Sequence, residues 1–478
     1  MLPALCMPLL FAAIGSAKAD APEIHVVFPA TGATVATERQ TYVIGWVRPA
    51  DAPLTINGQT VTPWRTGGFL HMAAVVPGTN TLVLRSGKTE VAHAFFVPYP
   101  PAPWDKKSIR VLQPLRPLGV HTNETIRLEC LAPTGQVVNV AIGERTLTLC
   151  SQDGNPFRYS GSVAFQHTVE NVPVTFFANG LADAAAAPLT ARGEYPAGVV
   201  TGGLFEVRAR SEPNEGETVG FLPPEFLVQT DGFTGTSTGI WLANRLRYVE
   251  TRYLAPAPAD AHPSRDLPVP DLTAGFGPHP PKHRTPSQIL IVLDPGHGAS
   301  STGALGPTGL TEKEANLAQA KLVRDALTNA GFRVLMTRET DVDPDLYARV
   351  RLAYQSKADA FISIHHNATP PQSDPSAARH ITTYAWNDIG FDLANAIHPH
   401  VAAVTPIADR GVSMASFAVC RNPAVPSCLI ELDFINCPEG EESIRNTEHQ
   451  RRVAETIRDG VLDWLGIAPN AKNGDTAR

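Results

Sequence analysis

The sequence predicts a C-terminal α/β domain, with a mostly parallel or mixed sheet and helices on both faces, preceded by all-β modules. From residue 23 to 254, short runs of β-favouring residues alternate with turn signals about every ten residues, which is typical of sandwiches and barrels. From residue 289 onward, buried-strand runs alternate with helical repeats, which is typical of an α/β sheet. Proline, at 43 of 478 residues, also favours turn-rich modules and linkers over a helical bundle.

Composition limits the class of protein. Hydrophobic residues make up 43% of the chain, which provides folded cores and excludes global disorder. The formal net charge is −7 and the sequence shows no basic stripe, so no nucleic-acid partner is expected.

Residues 1–19 are predicted to be a signal peptide. Met1 to Ile14 is an uncharged apolar run, and small residues follow it up to a cleavage site before Asp20. The run is too short for a membrane span, and no later segment is long and apolar enough for one. We therefore expect an exported protein of the periplasm, cell envelope or extracellular space. A buried first strand or helix is the alternative.

Residues 20–97 are predicted to form the first β module. A strand is expected at Thr41–Val47, and the Asn57–Gly58 pair marks a tight hairpin further along. The pattern resembles the bacterial Ig-like sandwiches of secreted proteins. We expect Trp46 and Trp64 to be core or rim residues rather than ligand platforms.

Two more β modules are predicted between proline-rich linkers. Residues 105–190 form a second β module, and residues 203–254 resemble a bacterial SH3-like domain. Some SH3-like domains bind peptidoglycan, but a barrel that only spaces its neighbours is an equal expectation. Residues 255–288 are predicted to be a proline-rich linker whose histidines (His262, His279 and His283) are solvated.

Cysteine usage is compatible with export. Cys130 and Cys150 lie in a strand-rich region and are candidates for a disulfide in an oxidising compartment. Cys420, Cys428 and Cys437 lie near the C-terminus, and the pairing among all five stays open. No Cys-x2-Cys spacing exists, so a structural zinc site is not expected.

Residues 289–467 are predicted to alternate strands and helices, followed by a disordered tail at 468–478. Ile289–Leu293 is a continuous apolar run, as in a strand buried on both faces. Glu312–Ala330 carries apolar residues at helical spacing, and Gly331 is a suitable stop. The other expected elements are strand Phe332–Met336, helix Asp345–Gln355, strand Ala360–Ile364, strand Ile381–Trp386, helix Gly390–Val404, strand Cys428–Leu432 and one last helix, Glu439–Leu465.

Four polar side chains are expected at one edge of this sheet. His297 follows the first strand, His365 ends the strand at 360–364, and Glu431 lies in the strand near the C-terminus. Glu312 begins a helix and can face the same crevice at the carboxyl ends of the strands. Two imidazoles and a carboxylate with an open fourth position are the pattern of a catalytic Zn²⁺ site, beside which another carboxylate can act as general base.

Four motifs in this domain occur in a characteristic order. They are Ile-Val-Leu-Asp294-Pro-Gly-His297-Gly, Gly309-Leu-Thr-Glu312-Lys-Glu-Ala-Asn-Leu317, Ala-Asp359-Ala-Phe-Ile-Ser-Ile-His365-His-Asn-Ala368 and Pro426-Ser-Cys-Leu-Ile-Glu431-Leu-Asp-Phe-Ile-Asn436. With them, residues 289–466 resemble the zinc-dependent N-acetylmuramoyl-L-alanine amidases (amidase type 3) of bacterial cell-wall remodelling.

The resemblance implies roles for these residues. His297, Glu312 and His365 would bind Zn²⁺, and Glu431 would be the general base and acid. The implied reaction is hydrolysis, by zinc-activated water, of the amide between the lactyl group of N-acetylmuramic acid and L-alanine in peptidoglycan. The implied partners are the glycan strand and stem peptide, with an envelope protein activator as a further candidate.

Residues beside the four candidates carry their own expectations. Glu314 is an alternative to Glu312, although the motif favours Glu312. His366 follows His365 on a strand and is expected to face away from it. Gly296 and Gly298 are expected to leave room around His297 for a close approach.

Four further residues surround the predicted site. Asp294 and Asn367 are candidates to orient a ligand histidine. Arg338 and Arg349 are expected to anchor structure rather than substrate.

One position departs from the family pattern. Asp433 stands where the family has glycine, two residues from Glu431, and is expected to share its strand face and raise its pKa. Two alternative functions stay open: a catalytically weak envelope-binding or regulatory protein, and a zinc peptidase or deacetylase on another cell-wall substrate.

Overall fold

The computed structural model describes residues 21–99, 105–115, 117–152, 154–203, 205–213, 216, 218–231, 235–242, 245–263 and 276–467. The predicted signal peptide, the predicted tail and residues 264–275 of the predicted linker lie outside these residues. Contacts divide the chain into two compact units, residues 1–100 with 276–478, and residues 101–275. Among the described residues, no helix is long and apolar enough to cross a membrane.

The first β region is a sandwich of seven strands. They are β1 Glu23–Phe28, β2 Gln40–Arg48, β3 Leu54–Ile56, β4 Gln59–Val61, β5 Gly68–Ala74, β6 Gly78–Ser86 and β7 Thr89–Val97. One sheet has the order β1-β2-β5 and the other β4-β3-β6-β7. Alternate side chains such as Val43, Phe69 and Phe95 form the core between them. Asn57 and Gly58, both with positive φ, form the predicted hairpin turn.

The second unit is also all β. Its strands are β8 Arg110–Gln113, β9 Leu118–His121, β10 Ile126–Leu131, β11 Asn139–Ile142, β12 Arg145–Thr148, β13 Cys150–Gln152, β14 Asn155–Val163, β15 Val169–Phe177, β16 Ala184–Arg192, β17 Ala197–Val200, β18 Arg208–Arg210, β19 Thr218–Phe221, β20 Leu227–Gln229, β21 Ser237–Leu242, β22 Arg245–Glu250 and β23 Leu254–Pro256. β8–β16 form two sheets around one core, and β17–β23 form two smaller sheets around another. β17 lies before the predicted start of the third module at residue 203 and pairs with β20 and β23.

Cys130 and Cys150 do not form the candidate disulfide. Cys130 lies in β10 and Cys150 in β13, and β14 runs between these two strands. Two strand spacings place such residues about 9–10 Å apart, which is too far for a disulfide. The three cysteines near the C-terminus are free thiols as well, all of them buried.

The last part of the predicted linker is packed rather than solvated. Phe276 stacks on Tyr354 with ring centroids 5.4 Å apart, and Arg284 forms an ion pair with Asp359. His279 is half-buried, and its Nε2 lies 3.1 Å from Ala424 O, so the expectation of a solvated His279 is wrong. The other two linker histidines, His262 and His283, are exposed as expected.

The C-terminal region is the predicted α/β domain around a mixed six-stranded sheet. Its elements are β24 Leu290–Pro295, α1 Glu312–Asn329, β25 Arg333–Met336, α2 Leu346–Gln355, β26 Ala360–Asn367, α3 Pro375–Ala378, β27 His380–Ala385, α4 Asp388–Ala402, β28 Ala408–Met414, β29 Ser427–Phe434, α5 Pro438–Arg445 and α6 Thr447–Trp464. The strand order is β25-β24-β26-β29-β27-β28, and β27 runs antiparallel to β29. Helices α1, α4 and α6 cover one face and α2 the other, as apolar side chains from both faces of β24 require.

The last helix and an edge strand of this domain differ from the prediction. The last helix is two helices, because the side chain of Asn446 accepts hydrogen bonds from the amides of Glu448 and His449 and starts a new helix. The edge strand β28 was not predicted, since Ala408–Met414 is largely exposed and has no apolar run that would mark a strand.

Candidate metal centre

Three candidate ligands meet at the carboxyl edge of the sheet. His297 follows β24, His365 lies near the end of β26, and Glu312 is the first residue of α1. Thr311 caps this helix, and the Glu314 carboxylate accepts a hydrogen bond from the Thr311 amide in a capping box. Glu314 is therefore used in helix capping, and Glu312 is the carboxylate that reaches the histidines.

The donor atoms of these three side chains lie within 4.8 Å of one another. Glu312 bridges the histidines, with Oε2 3.2 Å from His297 Nε2 and Oε1 2.9 Å from His365 Nδ1. The side chain of Glu312 is 7% exposed, whereas those of His297 and His365 are 29% and 17% exposed. The buried glutamate thus fixes the three ligands from inside the protein, while the two histidines remain accessible to solvent.

The surroundings fit a metal ion held by these donors. Two imidazoles and one carboxylate are a donor set that Zn²⁺ favours, whereas Mg²⁺ and Ca²⁺ favour oxygen ligands alone. A Cβ at Gly296 would collide with the ring of His365, and one at Gly303 would lie 2.7 Å from both Glu312 Cβ and His297 Cδ2. The two glycines let the three side chains converge, and the room at Gly296 serves His365 rather than His297.

His297 has a backbone conformation that non-glycine residues rarely adopt, with φ of 62°. Two contacts hold it there: Arg349 Nη2 donates to His297 O at 3.0 Å, and Ser301 Oγ lies 3.0 Å from His297 Nδ1. Arg349 is itself fixed by an ion pair with Asp294 at 2.8 Å, in which both side chains are almost fully buried. Strained residues of this kind persist where surrounding structure overdetermines them, as functional sites do.

Glu431 lies beside His365 on the neighbouring strand, because the parallel register of β26 and β29 pairs these two residues. Burial raises the pKa of Glu431 to about 7, and the charge of Glu312 acts in the same direction while that of His365 opposes it. Among the described residues, Glu431 Oε2 is buried without a hydrogen-bond partner. A carboxyl with this pKa and a free oxygen suits proton transfer near neutral pH.

The pKa values of Glu312 and His365 shift in the directions expected of an ion pair. Burial alone would raise the pKa of Glu312, but hydrogen bonds with His297 and His365 hold it well below its usual value. Burial lowers the pKa of His365, yet the hydrogen bond and charge of Glu312 outweigh it and the net shift is upward. The pKa of Glu312 is thus lowered and that of Glu431 is raised, although both carboxylates belong to one site.

Comparison with known proteins agrees with this geometry. The family model for N-acetylmuramoyl-L-alanine amidase matches residues 291–463. An endolysin of Bacillus phage SPP1 is 33% identical over 192 residues, which are 39% of this chain and 69% of the endolysin. The chain belongs to the N-acetylmuramoyl-L-alanine amidase family.

Other relatives match the same region. The amidase AmiA of Escherichia coli is 29% identical over 236 residues, covering 40% of this chain and 82% of AmiA. The amidase LytC of Bacillus subtilis is 34% identical over 174 residues, but the match spans 36% of this chain and only 35% of LytC. The solved catalytic domain of the amidase CwlV from Paenibacillus polymyxa is 33% identical, with 37% of this chain and 99% of that domain covered and a TM-score of 0.36.

Asp433, where this amidase departs from the family's glycine, does not act on Glu431. The register of β26 and β29 shifts by one residue after Glu431, which redirects the residues that follow. Asp433 forms a bidentate ion pair with Arg379, both distances being 2.7 Å, and its charge acts on His366 and His449. The expectation that Asp433 raises the pKa of Glu431 is wrong.

The two candidates for orienting a ligand histidine do something else. Asp294 accepts from Thr337, Ser363 and Arg349, and the Asn367 side chain accepts from the amide of Ala368. Arg338 and Arg349 donate to backbone carbonyls around the first motif, including Pro295 O and Gly296 O, as the expectation of a structural role requires.

The residues that hold the candidate ligands were missed by the sequence analysis. Ser301 contacts the ring of His297, and the backbone amide of Ala304 donates to Glu312 Oε2 at 2.9 Å. Asn316 Nδ2 donates to Glu312 Oε1 at 3.2 Å, and its Oδ1 pairs with His366 Nδ1, which confirms that His366 faces away. A signal for Asn316 existed, because it follows Glu312 by one helical turn within the second motif.

Proposed function

We propose that this protein is a zinc-dependent peptidoglycan hydrolase that cleaves the amide between the lactyl group of N-acetylmuramic acid and L-alanine of the stem peptide. The observation that carries the proposal is the convergence of His297, Glu312 and His365 next to Glu431, in a chain of the amidase family. The activity is a proposal for the whole protein, because the family match covers the C-terminal domain.

In this proposal, His297, Glu312 and His365 hold Zn²⁺ through two imidazole nitrogens and one carboxylate. When bound, Zn²⁺ supplies a Lewis acid that polarises the scissile carbonyl and makes water a nucleophile near neutral pH. Arg349, Ser301 and the strained backbone keep His297 in place before substrate arrives.

Glu431 moves the proton. It takes a proton from the attacking water and returns it to the nitrogen of L-alanine as the amide breaks. A pKa near 7 in the metal-free site is compatible with both steps, and an adjacent cation would lower it. Among the described residues of β29, Glu431 is the carboxylate that pairs with His365 in the register and has a buried oxygen without a hydrogen-bond partner.

The test uses purified sacculi and mass spectrometry of the released fragments. Wild-type protein should release stem peptides with a new L-alanine amino terminus and leave intact lactyl groups on the glycan. Glu431→Gln should retain zinc, measured by elemental analysis, and lose release. Cuts inside the stem peptide or loss of acetyl groups would instead indicate a peptidase or a deacetylase, and bound zinc without any turnover would indicate a regulatory protein.

The remaining expectations belong to this proposal as well. Export fits an enzyme whose substrate lies outside the cytoplasm, and the relatives LytC and AmiA named above are N-acetylmuramoyl-L-alanine amidases by their names. We further propose that the N-terminal modules are Ig-like and SH3-like, and that an envelope protein activator is a candidate partner. Edman sequencing of the mature protein would test cleavage before Asp20.

A further inference from the structure

The middle of strand β2, at the centre of the sandwich sheet β1-β2-β5, is buried on both of its faces. Val43 and Val47 point into the sandwich core. Tyr42 and Ile44 alternate with them and lie on the opposite face, yet they are only 7% and 0% exposed. An outer face exposed to solvent would leave such residues accessible, so something covers this face.

The C-terminal domain contacts this part of the sheet, first through the loop 368–374 that follows β26. Tyr42 N donates to Pro371 O at 2.9 Å, and Gln40 Nε2 donates to Gln372 O at 2.8 Å. This loop begins three residues after His365. Strand β2 therefore holds the segment that continues directly from a candidate metal ligand.

The same loop is held from its other side by the end of the fourth motif. Asn436 Nδ2 donates to Thr369 Oγ1 at 3.2 Å. The buried phenol of Tyr42 contacts Asn436, and burial raises its pKa while this contact acts in the opposite direction. The loop thus lies between the sandwich and the strand that carries Glu431.

A second contact is made at helix α5. Glu442 accepts hydrogen bonds from Trp64 Nε1 at 2.8 Å and from Arg65 Nε and Nη2 at 2.6 and 2.7 Å. Trp64 and Arg65 precede β5 of the sandwich. The sandwich is therefore joined to α5 by an indole and a guanidinium on one carboxylate, which is a charge-assisted arrangement.

The neighbouring carboxylate on α5 points inward. Glu441 is 2% exposed and accepts from Thr308 N at 2.8 Å, Thr308 Oγ1 at 2.7 Å and Leu310 N at 3.2 Å. These residues belong to the loop 303–311, which leads into α1 and whose Ala304 amide binds Glu312. One turn of α5 thus connects the sandwich with the loop that holds the glutamate ligand.

We propose that the first sandwich is a positioning element of the amidase site, which fixes loops 303–311 and 368–374 beside the metal ligands. Trp64 and Tyr42 are its positioning residues. The proposal rests on the proposed amidase function. It also removes the buried part of this sheet, around Tyr42 and Ile44, from the surfaces available to bind the cell wall.

The test is a double-mutant cycle in the full-length chain. Glu442→Ala removes the acceptor from α5, Trp64→Phe removes the indole N–H from the sandwich, and a third protein carries both changes. Glu90→Ala is the matched control, since Glu90 pairs with Arg85 at 2.7 Å on the other sheet of the same sandwich. Values of kcat and KM on soluble muropeptides, zinc content and amide hydrogen exchange of 303–311 are measured for each.

We expect each single change to lower kcat/KM by about 3- to 10-fold, the scale of one hydrogen bond, with zinc content unchanged. The double variant should be no worse than Glu442→Ala alone, because that change already removes the acceptor that Trp64 uses. Exchange of the 303–311 amides should rise in all three proteins and stay unchanged in the Glu90→Ala control.

Independent, additive effects on kcat/KM, or a Trp64→Phe variant indistinguishable from the control, would overturn the positioning role. The exchange measurement separates this outcome from failure of the proposed function. If wild-type protein turns over no muropeptide, faster exchange of 303–311 in Trp64→Phe still supports the contact, and unchanged exchange refutes it.

Discussion

The metal centre and the docked sandwich face are two regions of one compact unit, and they are built in different ways. At the metal centre, buried charges satisfy one another at short range, as Glu312 does with two histidines. At the sandwich face, hydrogen bonds join residues that are 332 and 378 positions apart, and the side chain of Arg65 is 75% exposed. The proposed chemistry thus lies with residues of short motifs, and its proposed positioning with weaker contacts from a distant segment.

Removing the metal should produce the largest difference between the two regions. A chelator should abolish amide hydrolysis, since the three donors have no substitute for a Lewis acid. Added Zn²⁺ should restore it. The amide exchange of loop 303–311 should stay partly protected in the chelated protein, because Glu441 holds that loop independently of the metal. Full activity in the chelated protein would contradict the proposed chemistry.

Breaking the buried ion pair behind His297 should have the next largest effect. Arg349→Ala leaves Asp294 buried and unpaired, which costs about 3–5 kcal/mol of stability. Arg324→Ala, which removes a surface pair with Glu339, should cost about 1 kcal/mol or less. Thermal unfolding followed by circular dichroism compares the two. Equal shifts in Tm would show that the buried ion pair contributes no more to stability than the surface pair does.

Asp433→Asn should weaken the domain without changing its chemistry. The substitution removes the charge that pairs with Arg379 and costs about 1–3 kcal/mol. Activity per folded molecule should stay near that of the wild type, because Asp433 acts on His366 and His449 rather than on Glu431. A large loss of kcat with normal Tm would contradict this and would show that Asp433 contributes to catalysis.

The smallest expected effect is the pH dependence of the sandwich contact. The hydrogen bonds and charge of Arg65 hold the pKa of Glu442 below its usual 4.5. A carboxylate with a lowered pKa stabilises the folded protein above 4.5 and loses this contribution as pH falls through its folded-state value. Glu442→Gln should therefore reduce stability by about 1 kcal/mol or less at pH 7, and the difference should vanish in acid. A difference that grows on acidification would contradict this.

Much of the α/β domain could be predicted because its signals are local. Ile289–Leu293 is apolar throughout since both faces of β24 are covered, and Glu312–Asn329 repeats its apolar residues at helical spacing. The break at Asn446 could not be predicted from periodicity, because α5 carries one large apolar side chain, Ile444, and so shows no helical repeat of its own. The capping bonds of Asn446 decide that break.

The sandwich shows the opposite case. Thr41–Val47 is an almost continuous apolar run, and such a run indicates a strand covered on both faces. From this run we predict only a strand, and we expect Trp64 to be a core or rim residue. Trp64 is partly buried, and its indole also donates to Glu442, a contact that depends on a fold bringing residue 64 to residue 442.

The sequence by itself determined the strand and helix ends on which His297, Glu312, His365 and Glu431 lie, because motif spacing and local periodicity set those ends. Only the tertiary structure decided which side chains pair with one another. The one-residue shift after Glu431 directed Asp433 to Arg379, and β14 separated Cys130 from Cys150. Register and docking depend on contacts between segments far apart in the chain, and no local pattern carries that information.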